Sequence, residues 1–160
     1  MKSNAGQSDK PLNVRDVAAD DAPRWAELFA AYREFYEMPT DDAVVATTWD
    51  WILRREHTMR GIVAVAPDDR VVGFANLRFF ARPSTATIGL YLDDLFTDPE
   101  ARGLGVATAL LDHAAHIAHN NGASVVRWIT ATTNTTARRV YDANATATAW
   151  VTYDMAPRSS

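Results

Sequence analysis

Three stretches of this 160-residue chain carry residues whose types and spacing suit chemistry. The first, DPEARGLGVATALL over residues 98–111, runs from an acidic loop through Arg102 and two glycines into a helical pattern. Such an entry aims backbone amides at an anion, and the helix dipole favours negative charge there. Thr108 stands where the dinucleotide fingerprint needs its third glycine, and no acidic residue follows about 20 positions on. No GK[ST] follows either, so the P-loop pattern fails. A phosphate cradle of another kind, or a plain tight strand-to-helix turn, remains. The second stretch, LYLDDLF, sets Asp93 and Asp94 in an apolar strand, where burial demands partners for both carboxylates. Strand alternation predicts that at most one of them faces any one site. In the third, NTTARRVY, separations of three, four and seven put Asn134, Ala137 and Tyr141 on one helix face. Asn134 suits an N-cap, and Tyr141 suits either a proton donor or a packing residue.

The elements that must position these residues follow from periodicity. A strand at 12–17 precedes Asp20 and Asp21, which offer an N-cap before Pro23. Trp25, Leu28, Phe29, Tyr32, Phe35 and Tyr36 then recur at helical spacing. A second helix is expected over about 41–57, with Val44, Val45, Trp49, Ile52 and Leu53. GIVAVA and VVGFANLRFF form a hairpin around PDDR, and TIGLYLDDLFT follows, most simply as a third antiparallel strand. Ala107, Leu110, Leu111, Ala114, Ile117 and Ala118 share one helical face, stopped by Gly122. SVVRWITA is a strand, NTTARRVYDAN a helix and ATAWVTYDM a last strand. This predicts a single α/β (α+β) domain over residues 12–155, with flexible tails at 1–11 and 156–160.

RxxGxA at Arg102, Gly105 and Ala107 resembles the acetyl-CoA pyrophosphate signature of the GNAT superfamily of N-acetyltransferases. Asn134, Ala137 and Tyr141 are similar to that family's second motif, NxxAxxxY, and the element order matches over the same span. The resemblance implies a mixed, mostly antiparallel central sheet flanked by about four helices, with a central strand-loop-helix cofactor site. It implies backbone contacts to acetyl-CoA from Leu95, Phe96 and Thr97, on a strand that splays from its neighbour. It further implies a loop of Arg102, Gly103, Leu104 and Gly105 with the first helical turn, Val106, Ala107 and Thr108, and contributions from Asn134 and Ala137. Tyr141 would be the acid that protonates the departing thiolate after direct attack through a tetrahedral intermediate. In spermidine/spermine and related diamine acetyltransferases a similar LED stretch places a carboxylate near the amine; Asp93 takes that place here as candidate base, with Asp94 as its structural or substrate-orienting partner. Where the family usually follows its tyrosine with Gly-Phe, this chain reads YDANAT, so a single final strand is expected.

From Glu27 to Asp42 five acids (Glu27, Glu34, Glu37, Asp41, Asp42) face one base, Arg33, among aromatic residues. An acidic aromatic mouth, with Tyr36 and Glu37 foremost, would attract an aliphatic ammonium by charge and cation–π contact. The expected substrate is therefore a small primary amine of polyamine, diamine or amino-acid type. The alternatives are a protein or peptide acetyltransferase and a non-catalytic CoA-binding module. A net charge of −4 argues against a broad nucleic-acid footprint. The absence of cysteine excludes disulfides and thiolate chemistry. His113, His116 and His119 fall away from the apolar helix face, and no metal site is expected; His57 reads as a loop residue without a partner. With no apolar run near the ~20 residues of a membrane span, a cytoplasmic protein is expected, compatible with a homodimer.

Overall fold

The computed structural model describes residues 11–159. They fall into two compact units that divide after Ile129. The first holds five strands among its described residues: β1 (Asn13–Asp16), β2 (Met59–Val65), β3 (Val71–Arg82), β4 (Thr87–Thr97) and β5 (Ala123–Arg127). They pair in sequence order; the first four are antiparallel, and β5 lies parallel to β4. A parallel neighbour requires a crossover, and helix α3 (Val106–Asn120) supplies it. The expected mixed, mostly antiparallel sheet with flanking helices is what forms.

Helices α1 (Ala22–Phe35) and α2 (Asp42–Arg54) cover one face of the sheet. Trp25, Phe29 and Ile52 join Val63, Phe74 and Phe96 in one buried cluster, with the Trp25 and Phe74 rings 5.8 Å apart. Asp41 caps α2, its Oδ1 accepting from the Val44 amide at 3.1 Å. Asp21, expected to cap α1, does not: its carboxylate takes the Ala18 amide at 2.7 Å and a two-pronged bond from Arg15. The second helix stops at Arg54 rather than 57, because Arg55 turns left-handed at φ 57°. His57 is not partnerless; its ring meets Trp51 edge-on at 4.9 Å.

The opposite face belongs to α3. A Cβ on Gly73 would stand 2.6 Å from Val106 Cγ1 and 3.5 Å from Leu110, so β3 seats the first turn of α3 through the absence of a side chain. Residues two apart share a face, which places Gly73, Ala75 and Leu77 toward α3, and Phe74, Asn76 and Arg78 toward α1.

The second unit contains α4 (Thr135–Asn144). Asn134 caps it, Oδ1 accepting from the Ala137 amide at 3.4 Å while Nδ2 reaches Thr130. Residues 147–155, expected as a last strand, form none. Their alternation is that of a strand, but a strand without a partner leaves its backbone groups unpaired and does not hold.

Candidate active site

The strand carrying the two aspartates is irregular where they sit. Asn76 pairs with Asp94 and Leu77 with Leu92, so Asp93 is an extra residue opposite no partner on β3. This is a β-bulge, which re-aims side chains and breaks alternation locally. Asp94 Oδ2 accepts from Asn76 Nδ2 at 2.9 Å. Both Asp93 oxygens lie against Arg78 Nε, at 3.1 and 2.9 Å. Asn76 and Arg78 stand two residues apart on the α1 face, so both carboxylates turn to that face. The expectation that at most one would do so fails, because alternation holds only in an unbroken ladder.

The two carboxylates sit in different surroundings. Burial pushes the Asp94 carboxyl above the usual range, and donors from Asn76 and Tyr32 pull it back only in part. Burial also raises Asp93, opposed by the Arg78 bond and charge and reinforced by Asp94. Asp93 therefore has a cation beside it, whereas the donors to Asp94 are neutral. Asn76 is fully buried, and its Oδ1 accepts no hydrogen bond. Tyr32 connects this pair to the end of α1: its ring lies 6.3 Å from Phe96 and 4.9 Å from Tyr36, which is part-exposed. Glu37 follows at φ 56°, turning the chain away from the helix. Of the acids counted on this side, Glu27 bonds Arg24 at 2.9 Å and Asp41 is spent as a cap.

Farther along β4 the backbone opens. Its ladder with β5 ends at Tyr91 opposite Arg127, while its ladder with β3 continues to Thr97 opposite Gly73. One edge of Leu95, Phe96 and Thr97 thus has no strand beside it among the described residues. A 3-10 turn, Pro99–Ala101, then leads into the glycine loop. Asp98 fixes that turn, accepting from the Glu100 amide at 3.0 Å and from the Arg24 guanidinium. Those bonds hold its carboxyl below the usual range, the Glu100 amide contributing most. Gly103 and Gly105 have φ of 83° and 75°, conformations that favour glycine. A Cβ on either would meet nothing within 4 Å, so the loop faces open space. Arg102 and Leu104 are exposed, while Val106 is buried against β3. The first helical bond runs from the Ala109 amide to the Gly105 carbonyl at 3.0 Å. The amides of Val106, Ala107 and Thr108 therefore precede any intrahelical acceptor. Open glycine positions, first-turn amides and an open strand edge fit an elongated ligand ending in an anion.

In the second unit, Asn134 caps α4, Ala137 and Tyr141 lie on it, and Tyr141 is half-buried. On α3, His116 meets Asp112 at 3.4 Å, and burial lowers the His113 pKa. Residues that the sequence reading missed are Asn76 and Arg78; Tyr32 was expected among the aromatics of the acceptor mouth, but not as a partner of Asp94. Asn76 carried a signal, as a lone amide inside the apolar run VVGFANL.

A profile of the Acetyltransferase (GNAT) family matches residues 25–145. An uncharacterized N-acetyltransferase of Bacillus subtilis (strain 168), YhfO, is 31% identical over 135 residues, covering 83% of this chain and 88% of its own. A crystal structure of a probable acetyltransferase is 26% identical, with a TM-score of 0.81 over 92% of this chain and 99% of that one. The structure of AAC(6')-Iy with a CoA bisubstrate analogue is 21% identical, with a TM-score of 0.78 over 93% and 100%, and speaks to fold alone. The chain belongs to the GNAT family of acetyltransferases, which use acetyl-CoA, and is an N-acetyltransferase.

Proposed function

We propose that this enzyme transfers the acetyl group of acetyl-CoA to a primary amine of a small cationic molecule, of polyamine, diamine or amino-acid type. The observation that carries the reading is the bulge, which turns two carboxylates to one face of the sheet beside Tyr32. Anionic oxygens and an aromatic face recognise an aliphatic ammonium by charge and cation–π attraction. Tyr36 and Glu37, at the end of α1, would line the approach.

Acetyl-CoA supplies a thioester carbonyl; the chain must bind it and manage protons. The glycine loop, Arg102 through Gly105, and the amides of Val106, Ala107 and Thr108 suit its pyrophosphate. The open edge of Leu95, Phe96 and Thr97 suits the pantetheine arm, with amides placed to meet developing charge on oxygen. Asn134 and Ala137 would contribute from α4. Asp93 is the base that the diamine resemblance suggests, but Arg78 lies against both its oxygens. We therefore assign the amine's proton to Asp94, whose upward shift favours accepting one. Asp93 is the charge that attracts the ammonium, and Tyr141 donates a proton to the thiolate.

Thiol release from acetyl-CoA, measured against polyamines, diamines, amino acids and lysine peptides, tests this reading. Turnover on the small amines is expected; turnover on peptides alone would overturn it. Tyr141→Phe is expected to lose ~100-fold or more in kcat with CoA affinity retained, and wild-type turnover would remove Tyr141 from the reaction.

A further inference from the structure

The face of the sheet that holds the two aspartates continues beyond them. Asn76 is fully buried, but Arg78, Phe80 and Arg82, which follow it at alternate positions of β3, are part-exposed. The Phe80 ring sits over Gly89 of β4, where a Cβ would stand 2.5 Å from Phe80 Cζ, and it meets the Tyr91 ring edge-on at 6.1 Å. Two guanidinium groups lie on this aromatic pair: Arg78 is 4.6 Å from the centre of the Tyr91 ring, and Arg127, from β5, is 5.6 Å from that of Phe80.

The two arginines differ in what neutralises them. Arg78 is spent on Asp93. Arg127 is exposed, and its guanidinium makes no ion pair or hydrogen bond among the described residues. A guanidinium stacked on a ring keeps its planar row of N–H donors for a carboxylate. Arg82 lies farther along, opposite Thr87, and donates to Ser124. One face thus carries carboxylates at one end and an uncompensated guanidinium at the other. Tyr91 stands between them, opposite Arg127. Burial raises its phenol, Asp93 raises it further, and Arg78 and Arg127 pull it down, so charges of both signs reach it.

We propose that the acceptor is a zwitterion, an amine drawn to Asp93 and Asp94 whose own carboxylate is held by Arg127 over the Phe80–Tyr91 pair. The proposal rests on the reading of the aspartates as the amine site, and it narrows that reading from small amines in general to ω-amino acids. Spacing supplies the chain length. From Asp94 back to Tyr91 the strand rises about 10 Å or less, and Arg127 stands beside Tyr91. A chain of several carbons between amine and carboxylate spans that gap; the single carbon of an α-amino acid does not. A polyamine or diamine would set a second ammonium beside Arg127, and like charges brought together reject a ligand.

Thiol release from acetyl-CoA with δ-aminovalerate, δ-aminovaleramide and cadaverine tests the proposal, because the three share a primary amine on a five-carbon chain and differ at the far end. The wild type should favour the acid over the amide and the diamine by ~10-fold or more in kcat/KM, chiefly through KM. Arg127→Gln should level the three, and Arg127→Glu should reverse the order in favour of cadaverine. A ratio between substrates on one protein is not moved by a merely structural loss. Equal rates on acid and amide, a wild type that prefers cadaverine, or a preference for the acid that survives either substitution overturns the zwitterion and leaves the small-amine reading standing. Turnover on none of the three overturns the zwitterion, and if lysine peptides are acetylated instead, the small-amine reading falls with it.

Discussion

Replacing Asp94 by asparagine keeps the side chain's shape and removes its charge, and the surroundings of Asp94 predict opposite effects on stability and rate. In the folded chain burial raises the Asp94 carboxyl above its value in the unfolded chain. A folded-state pKa above the unfolded one means that the folded form binds more protons between the two values. The wild type therefore loses stability as pH rises through that window and does not regain it above. Asparagine carries no such titration. Its amide can also donate to Asn76 Oδ1, the buried acceptor left without a partner. A buried unsatisfied polar group costs about 1–3 kcal/mol, so Asp94→Asn should gain roughly 1–2 kcal/mol near neutral pH. For a chain of this size that corresponds to a rise in Tm of about 2–8 °C. The gain should shrink as pH falls through the raised value, where the folded wild-type carboxyl takes its own proton, and be smallest below the ordinary carboxylate range. Acetyl transfer should fall by ~100-fold or more, as expected for loss of a proton acceptor. Thermal unfolding from about pH 4 to about pH 8, with thiol release on the same samples, reads both effects. A variant that melts below the wild type at neutral pH, or one that keeps its rate, would refute the reasoning.

Three further outcomes follow from the same geometry. Gly105→Glu sets a carboxylate into the open space before α3 and imposes a left-handed conformation at φ 75°; the Kd for CoA should rise at least ~10-fold by calorimetry, with ~1–2 kcal/mol lost in stability. Gly73→Ala would press a methyl 2.6 Å from Val106 and 2.9 Å from the Phe96 carbonyl; it should cost ~1–3 kcal/mol in urea unfolding and weaken CoA binding by shifting the helix start. Asp21 is held below the usual carboxylate range, first by its Arg15 bond and further by the Ala18 amide, so its stabilisation is present above about pH 4 and fades as pH falls through the lowered value. Asp21→Ala should accordingly cost ~1–3 kcal/mol at neutral pH, a difference that narrows in acid.

How much of this was legible in the sequence depends on whether a residue's conformation is set locally. Gly103 and Gly105 adopt the positive φ that their type and position before a helix imply, and the helix stripes of α1 and α3 supply the buried faces that their spacing predicts. The bulge at Asp93 was not legible, because a register slip is a relation between two strands and LYLDDLF shows only one of them. The roles of Arg78 and Tyr32 beside the aspartates were hidden for a related reason: each is ordinary in its own element and meets an aspartate only when β3, β4 and α1 assemble. Residues 147–155 show the converse, a strand pattern read correctly as pattern but requiring a partner strand to become structure.

The bulge also sets the strand's tolerance to change. Before it, Leu90 and Leu92 lie opposite Phe79 and Leu77, on the α3 side; after it, Phe96 lies opposite Phe74, on the α1 side. Even-numbered residues of one strand thus anchor both layers, and the extra residue is what changes the phase between them. Removing Asp93 outright would set Leu92 opposite Leu77 directly beside Asp94 opposite Asn76, so the ladder becomes regular and both halves of β4 keep their inward and outward residues. At this position a one-codon deletion is tolerated by the fold and costs the site a carboxylate, whereas an insertion or deletion elsewhere in β4 would exchange faces along part of the strand.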